Sequence, residues 1–165
     1  MHLQPQFKTL PEKKVTGIGA KFISIISPDK NNHIVLPQLW DAYIKRRSEI
    51  KNATTKYDMG VIGPVLPPDT KSHPAEMFYI ACTEVNNTDN VPSGMITKTI
   101  PAGNYAVFTH TGPISKFADT MMYIFETWLP TSDKKIRRAP ELEIYDERFN
   151  PVSDSSEMEI WIPVE

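Results

Sequence analysis

PISKFADTMMYIFETWLP, residues 113–130, places Phe117, Met121, Ile124, Phe125 and Trp128 on one helical stripe, with Pro113 opening the segment and Pro130 stopping it. What flanks this helix decides the fold. MITKTIPAGNYAVFTHTG, residues 95–112, is strand-like around a Pro-Ala-Gly-Asn interruption, and PELEIYDERF (140–149) and EMEIWIPVE (157–165) read as a closing pair of strands. The order is β-α-β-β.

The same order stands earlier in the chain. KKVTGIGAKFISII (13–26) combines β-branched residues with two glycines and reads as a strand with a bend or bulge. LPQLWDAYIKRRSEI (36–50) sets Leu36, Leu39, Trp40, Tyr43, Ile44 and Arg47 at helical intervals, with Pro37 suited to a first turn. KYDMGVIGPVL (56–66) and EMFYIACTEV (76–85) are two more strands, separated by the loop PPDTKSHPA (67–75). Each helix carries a tryptophan, Trp40 and Trp128, and each closing strand starts with Glu-Met. NNTDNVPSG (86–94) has the composition of a linker between the halves.

A lone half of about 80 residues would struggle to bury both its helix and its sheet. The chain therefore reads as α+β, one domain over residues 1–165, with a first β-α-β-β half at about 13–85 and a second at about 95–165. A pseudo-twofold axis would relate the halves and join their strands into antiparallel sheets with a central ligand cleft at the seam.

Composition excludes several classes. The 165 residues are 40% hydrophobic, enough for an ordinary core, and 18 basic against 20 acidic side chains give a formal charge of −2. Double-stranded nucleic acid demands a concentrated basic face, and the longest clusters here are Lys45-Arg46-Arg47 and Lys134-Lys135 with Arg137-Arg138, so no direct nucleic-acid binding is expected. The single cysteine, Cys82, rules out an internal disulfide framework and a multi-cysteine zinc site, and its apolar strand favours an inert buried thiol. No leader-like segment and no apolar run of membrane-spanning length is seen, so a cytoplasmic chain without a membrane partner is expected.

His110 in FTHTGP suits local capping or solvent exposure better than a base, and His2, His33 and His73 show no metal-ligand spacing. Neither a metal nor a cofactor is expected, since nucleotide-binding glycine loops and the hydrolase elbow are also missing.

PELEIYDERF carries the one unusual pattern. Strand alternation sends Leu142 and Ile144 one way and Glu141, Glu143 and Tyr145 the other, so the second face is either wet or a site.

The run TIPAGNYAVFTHTGPI (99–114), a helix ending WLP, then ELEIYDERF and a terminal EIWIPV, resembles the GyrI-like effector-binding family, which also supplies the ligand-binding part of AraC-type and MerR-type multidrug transcription regulators. LPQLWDAYIKRRSEIKN, FYIACTEV and VPSGM are most similar to its stand-alone, integron-associated branch. The resemblance covers residues 13–165 and rests on the order and spacing of these segments.

It implies a mostly aromatic cleft for lipophilic, often cationic, molecules, with a charge-compensating glutamate at the position of Glu143. Burying a carboxylate is costly unless it is paired, so an inward glutamate makes sense where a cation visits. Matching MGVI (59–62) to LEIY (142–145) sets Gly60 opposite Glu143 and Ile62 opposite Tyr145, open space facing charge and ring. Trp128, at the family's helix-terminal tryptophan, either walls the cleft or belongs to the core. Tyr145 could stack on a ligand or hydrogen-bond the carboxylate, while Tyr79 and Phe108 border the seam as packing or contact. Glu84 reads as a strand-end charge rather than a second acidic wall.

Three readings of function follow. The first is a stand-alone binding protein for a small lipophilic molecule, sensing it or sequestering it, with a protein partner or a homodimer left open. The second is a hydrolase of reactive cyclopropane-bearing genotoxic compounds, a branch of the same family, in which Glu143 orients water and Tyr145 supports the departing carbonyl oxygen. The third is inhibition of a protein such as gyrase, for which the dispersed acidic residues give little support.

Overall fold

Two proline-led pairs, Pro11-Glu12 and Pro101-Ala102, govern how the sheet is laid out. The computed structural model describes residues 3–65 and 72–165; His2 and positions 67–71 of the predicted loop lie outside the described residues. The described strands are β1 (Gln6–Leu10), β2 (Lys13–Ile23), β3 (Asp58–Pro64), β4 (Glu76–Val85), β5 (Ile96–Ile100), β6 (Gly103–Thr111), β7 (Glu141–Tyr145) and β8 (Glu157–Pro163). They form one sheet in the order β1-β6-β8-β7-β3-β4-β2-β5, and every neighbouring pair is antiparallel.

Exchanging β1 with β5, β2 with β6, β3 with β7 and β4 with β8 reverses this order onto itself, the signature of the expected pseudo-twofold. The halves share a single sheet rather than separate ones, and they trade edges: β1 pairs with β6 of the second half, and β5 with β2 of the first. β1 was not foreseen. Its signal was present, because Lys8-Thr9-Leu10-Pro11 repeats as Lys98-Thr99-Ile100-Pro101. Each proline lacks an N–H and ends its strand.

These short connections force curvature. β1 and β2 lie six places apart in the sheet, ~29 Å if it were flat, whereas the chain from Leu10 to Lys13 reaches at most ~11 Å. The same holds for β5 and β6. The sheet must roll until its edges approach. Its concave side is filled by Leu10, Val15, Met59, Ile100, Tyr105 and Leu142, all buried and drawn from both edges and the middle. Cys82 belongs to this core, and burial pushes its thiol far up, the inert state expected of it.

The helices cover the convex side. α1 (Asn32–Arg46) packs Leu39 and Tyr43 against Phe22, Ile62, Tyr79 and Ala81. It starts four residues before the predicted position, which puts Pro37 inside the helix rather than in its opening turn. The second helical segment begins with a 3-10 turn, Ile114–Lys116, continues as α2 (Phe117–Met122), widens into a π-helical turn over Tyr123–Trp128 and ends at Thr131. Its predicted stripe faces Ala106, Phe108 and Ile160. His110 is buried beneath it: its Nε2–H donates to the Pro113 carbonyl at 3.4 Å and Nδ1 accepts from the Thr120 hydroxyl at 2.8 Å. This ties β6 to α2, a cross-segment bond in place of the capping or exposure expected. No helix among the described residues is long and apolar enough to cross a membrane.

Leu10 is 6% exposed and belongs to the core on the concave side. Leu10→Ala is expected to lower unfolding free energy by about 2–5 kcal/mol in urea titrations, whereas Val152→Ala, at a position 82% exposed, should change it by less than about 0.5 kcal/mol.

Candidate ligand-binding cavity

Between the two helices, over the seam strands β3 and β7, a cavity of about 740 Å³ opens. That is the size of a drug-like ligand site. β7 forms part of its floor by simple alternation: Leu142 is packed in the concave core with Ile144 against it, while Glu141, Glu143 and Tyr145 line the cavity.

Glu143 is held by two phenols. Tyr79 Oη donates to its Oε2 at 2.6 Å and Tyr145 Oη to the same oxygen at 2.7 Å. Trp40 Nε1 donates in turn to Tyr79 Oη at 3.2 Å. Oε1 accepts no hydrogen bond among the described residues, so one lobe of the carboxylate is left for a visitor. The rings enclose the site: Trp40 lies edge-on to Tyr145 at 4.9 Å, and Tyr145 to Phe149 at 4.7 Å.

Gly60 makes this arrangement possible. It is the direct cross-strand partner of Glu143, and a Cβ there would collide with the Tyr79 hydroxyl and stand 2.9 Å from Glu143 Oε2. The space over Gly60 is therefore not open, as the repeat suggested; it is taken by Tyr79. Antiparallel pairing also sets Ile62 against Glu141 and Tyr145 against Asp58, rather than against each other.

Burial raises the Glu143 carboxyl, and donation from Tyr145 and Tyr79 opposes that rise. Both phenols are driven well above their ordinary range by burial and by the neighbouring carboxylate, so they remain donors. Glu141 is pushed up to about 7, mainly by burial and then by the charge of Glu143. The cavity's other carboxylates have cations: Asp58 accepts from Arg47 at 2.6 Å and from the Tyr43 hydroxyl at 2.8 Å, and Asp146 pairs with Arg148 at 2.7 Å. No lysine or arginine is among the described residues that line the cavity.

Of the residues singled out in the sequence, Glu143, Tyr145, Tyr79 and Ile62 come together around the cavity. Trp128 and Phe108 do not; they lie edge-to-face at 4.9 Å within the core under the second helix. The tryptophan in the wall is Trp40, from the other half. Glu84 pairs with Lys13 at 2.7 Å, away from the cavity, in keeping with a strand-end charge. Glu141, Trp40 and Phe149 were missed, although alternation had already put Glu141 on the face of Glu143.

A duplicated α+β fold with a desolvated carboxylate in an aromatic cavity has the build of a small-molecule-binding module. The match to the GyrI-like small molecule binding domain spans residues 3–165, and the chain belongs to that family. The transcriptional regulator BrlR of Pseudomonas aeruginosa is 31% identical over 128 residues, 77% of this chain and 45% of that protein. The chain thus matches less than half the length of this curated relative. The fold is similar to that of SAV2435, solved bound to tetraphenylphosphonium, with a TM-score of 0.74 at 17% identity over 100% of this chain and 94% of that one. An integron cassette protein from the mobile metagenome of Vibrio cholerae gives a TM-score of 0.64 at 17% identity, covering 99% and 98% of the two chains.

Glu141 has a folded-state value above its unfolded one, so the unfolded chain releases its proton first as pH rises and the folded state loses stability from about 4.5 up to about 7. Glu141→Gln is expected to flatten that decline and to stabilise the protein at pH 8 by on the order of 2 kcal/mol, read from urea titrations at pH 4 and pH 8.

Proposed function

We propose that this chain binds lipophilic organic cations in the cavity between its helices, for sensing or for sequestration. The observation that carries the reading is Glu143, a buried carboxylate whose neutralising partners are two hydroxyls and an indole N–H relay, with no cation beside it. Tyrosine donors reduce the cost of the charge without cancelling it, so an aromatic or quaternary cation would find both an anion and ring faces, each face worth ~0.5–2 kcal/mol. An anion would meet carboxylates and, among the described lining residues, no lysine or arginine. The phosphonium held by the similarly folded SAV2435 supports this choice of ligand class. BrlR is a transcriptional regulator, which favours sensing, with the signal passed on through a partner protein or a second copy.

Tetraphenylphosphonium and tetraphenylborate share a shape and differ in sign. The phosphonium should quench the fluorescence of Trp40 saturably and the borate should not. Glu143→Gln keeps an acceptor for the two phenols and should weaken phosphonium binding roughly 10- to 100-fold. Trp40→Phe should remove most of the quenching, since Trp128 is in the core and Trp161 packs on the concave side. Equal binding of both ions, or indifference to Glu143→Gln, would reject the reading.

One observation favours a hydrolase as the second reading: Glu141 lines the cavity, has no side-chain partner among the described residues and is pushed up to about 7. It suits a general base better than Glu143, and the Tyr145 hydroxyl expected to support a leaving oxygen already donates to Glu143. Glu141 would take a proton from water as the water oxygen bonds a strained ring carbon, the ring bond's electrons passing to a conjugated carbonyl that is then reprotonated. Mass spectrometry of a cyclopropane-bearing electrophile should then show a gain of one water, faster as pH rises through about 7 and abolished in Glu141→Gln. An unchanged mass after prolonged incubation leaves binding alone.

A further inference from the structure

Among the described residues, one carboxylate facing the cavity has no side-chain partner to answer its charge. Asp58 is held by Arg47 and Tyr43, Asp146 by Arg148, and Glu143 by Tyr79 and Tyr145. Glu141 accepts no hydrogen bond and no ion pair among the described residues, and its cross-strand neighbour is the apolar Ile62. It lines the same cavity as Glu143, two residues along the same strand face, ~7 Å away by strand rise. Two such carboxylates on one floor, one held by phenols and one bare, do not serve a single positive charge equally.

We propose that the cavity has a second cationic subsite at Glu141, so that its preferred ligands are lipophilic dications or cations carrying a second protonated amine a short alkyl arm away. This deepens the cation-binding reading above and rests on it. Glu143, already stabilised by donors, takes the aromatic or bulky cationic centre among Trp40, Tyr145 and Phe149. Glu141 takes the second charge beside Ile62, toward the beginning of β7.

The occupant also supplies what Glu141 lacks. The other titratable or charged groups facing the cavity are Asp58 on β3, Tyr79 on β4, Glu143, Tyr145 and Asp146 on and after β7, and His33 on α1. Asp58, Tyr79, Glu143 and Tyr145 are committed to one another or to Arg47 and Tyr43, and Asp146 to Arg148, which leaves Glu141 and His33 as the groups whose proton a second cation could displace; Glu141→Gln tells the two apart. Burial holds part of the Glu141 population protonated near neutrality, so a dication seated beside it releases more of that proton than a monocation at Glu143 does.

Ethidium and propidium provide the test, since they share a phenanthridinium and propidium adds a quaternary ammonium on a propyl arm. Titrations of the native chain at pH 7, read by dye fluorescence and by Trp40 quenching, should show propidium binding roughly tenfold tighter than ethidium. Glu141→Gln should bring that ratio to about one, while Glu143→Gln should weaken both dyes. Calorimetry of propidium in two buffers of different ionisation enthalpy should show proton release with the native chain and none with Glu141→Gln. If ethidium binds but propidium binds no tighter, or if Glu141→Gln keeps the preference, the second subsite is refuted while the cation cavity stands. If neither dye binds, the cation-binding reading fails and this inference falls with it.

Discussion

A connection of two residues cannot cross a flat eight-stranded sheet, and this chain makes such a connection twice, at Pro11-Glu12 and Pro101-Ala102. Because the strands on either side of each connection sit six places apart, the sheet has no choice but to roll. Rolling buries one face without any helix, and it does so with residues from both edges, Leu10 and Ile100 among them. Both helices are thereby left for the convex side. They pack on the outer strands of each half, and the seam between them becomes a trough. The cavity is thus a consequence of the edge exchange.

How much of this was legible depended on whether a feature was local. Strand alternation and helical stripes are local, so β4 and the stripe of the second helix read directly from the residues, and the duplication followed from their order. β1 has a pattern too short and too exposed to stand out alone; only its echo at residues 98–101 marks it, and its partner lies on the other half. The same limit explains the exchange of tryptophans. Trp40 and Trp128 occupy comparable helical stripes, and nothing within either helix says which one borders the seam; only the packing of Trp128 on Phe108 settles it. Glu143 was readable because a charge between Leu142 and Ile144 needs a reason, and Glu141 shared that reason.

Desolvation is the common cause behind the site's electrostatics. Tyr79, Tyr145, Glu141 and Glu143 are all moved in the direction that disfavours charge, and burial is the largest cause in each. A fold selected for stability alone would gain by replacing such carboxylates with apolar side chains. Their presence costs stability in the empty protein and lowers the free energy of any cation that enters. The same low dielectric that makes Glu143 expensive also strengthens its attraction for a ligand.

The duplication also has to be imperfect for the site to exist. β3 and β7 are equivalent strands that pair with each other, and Gly60 stands directly across from Glu143. A faithful repeat would set a second glutamate at position 60, with two carboxylates ~5 Å apart in a desolvated floor, a repulsion of ~3 kcal/mol at an effective dielectric of about 20. One of them would take up a proton, so the second carboxyl would add cost and no charge. Glycine removes the repulsion and also vacates the volume through which Tyr79 reaches Glu143 from β4. The symmetric strand order builds the trough, and the broken symmetry at this one ladder pair charges it.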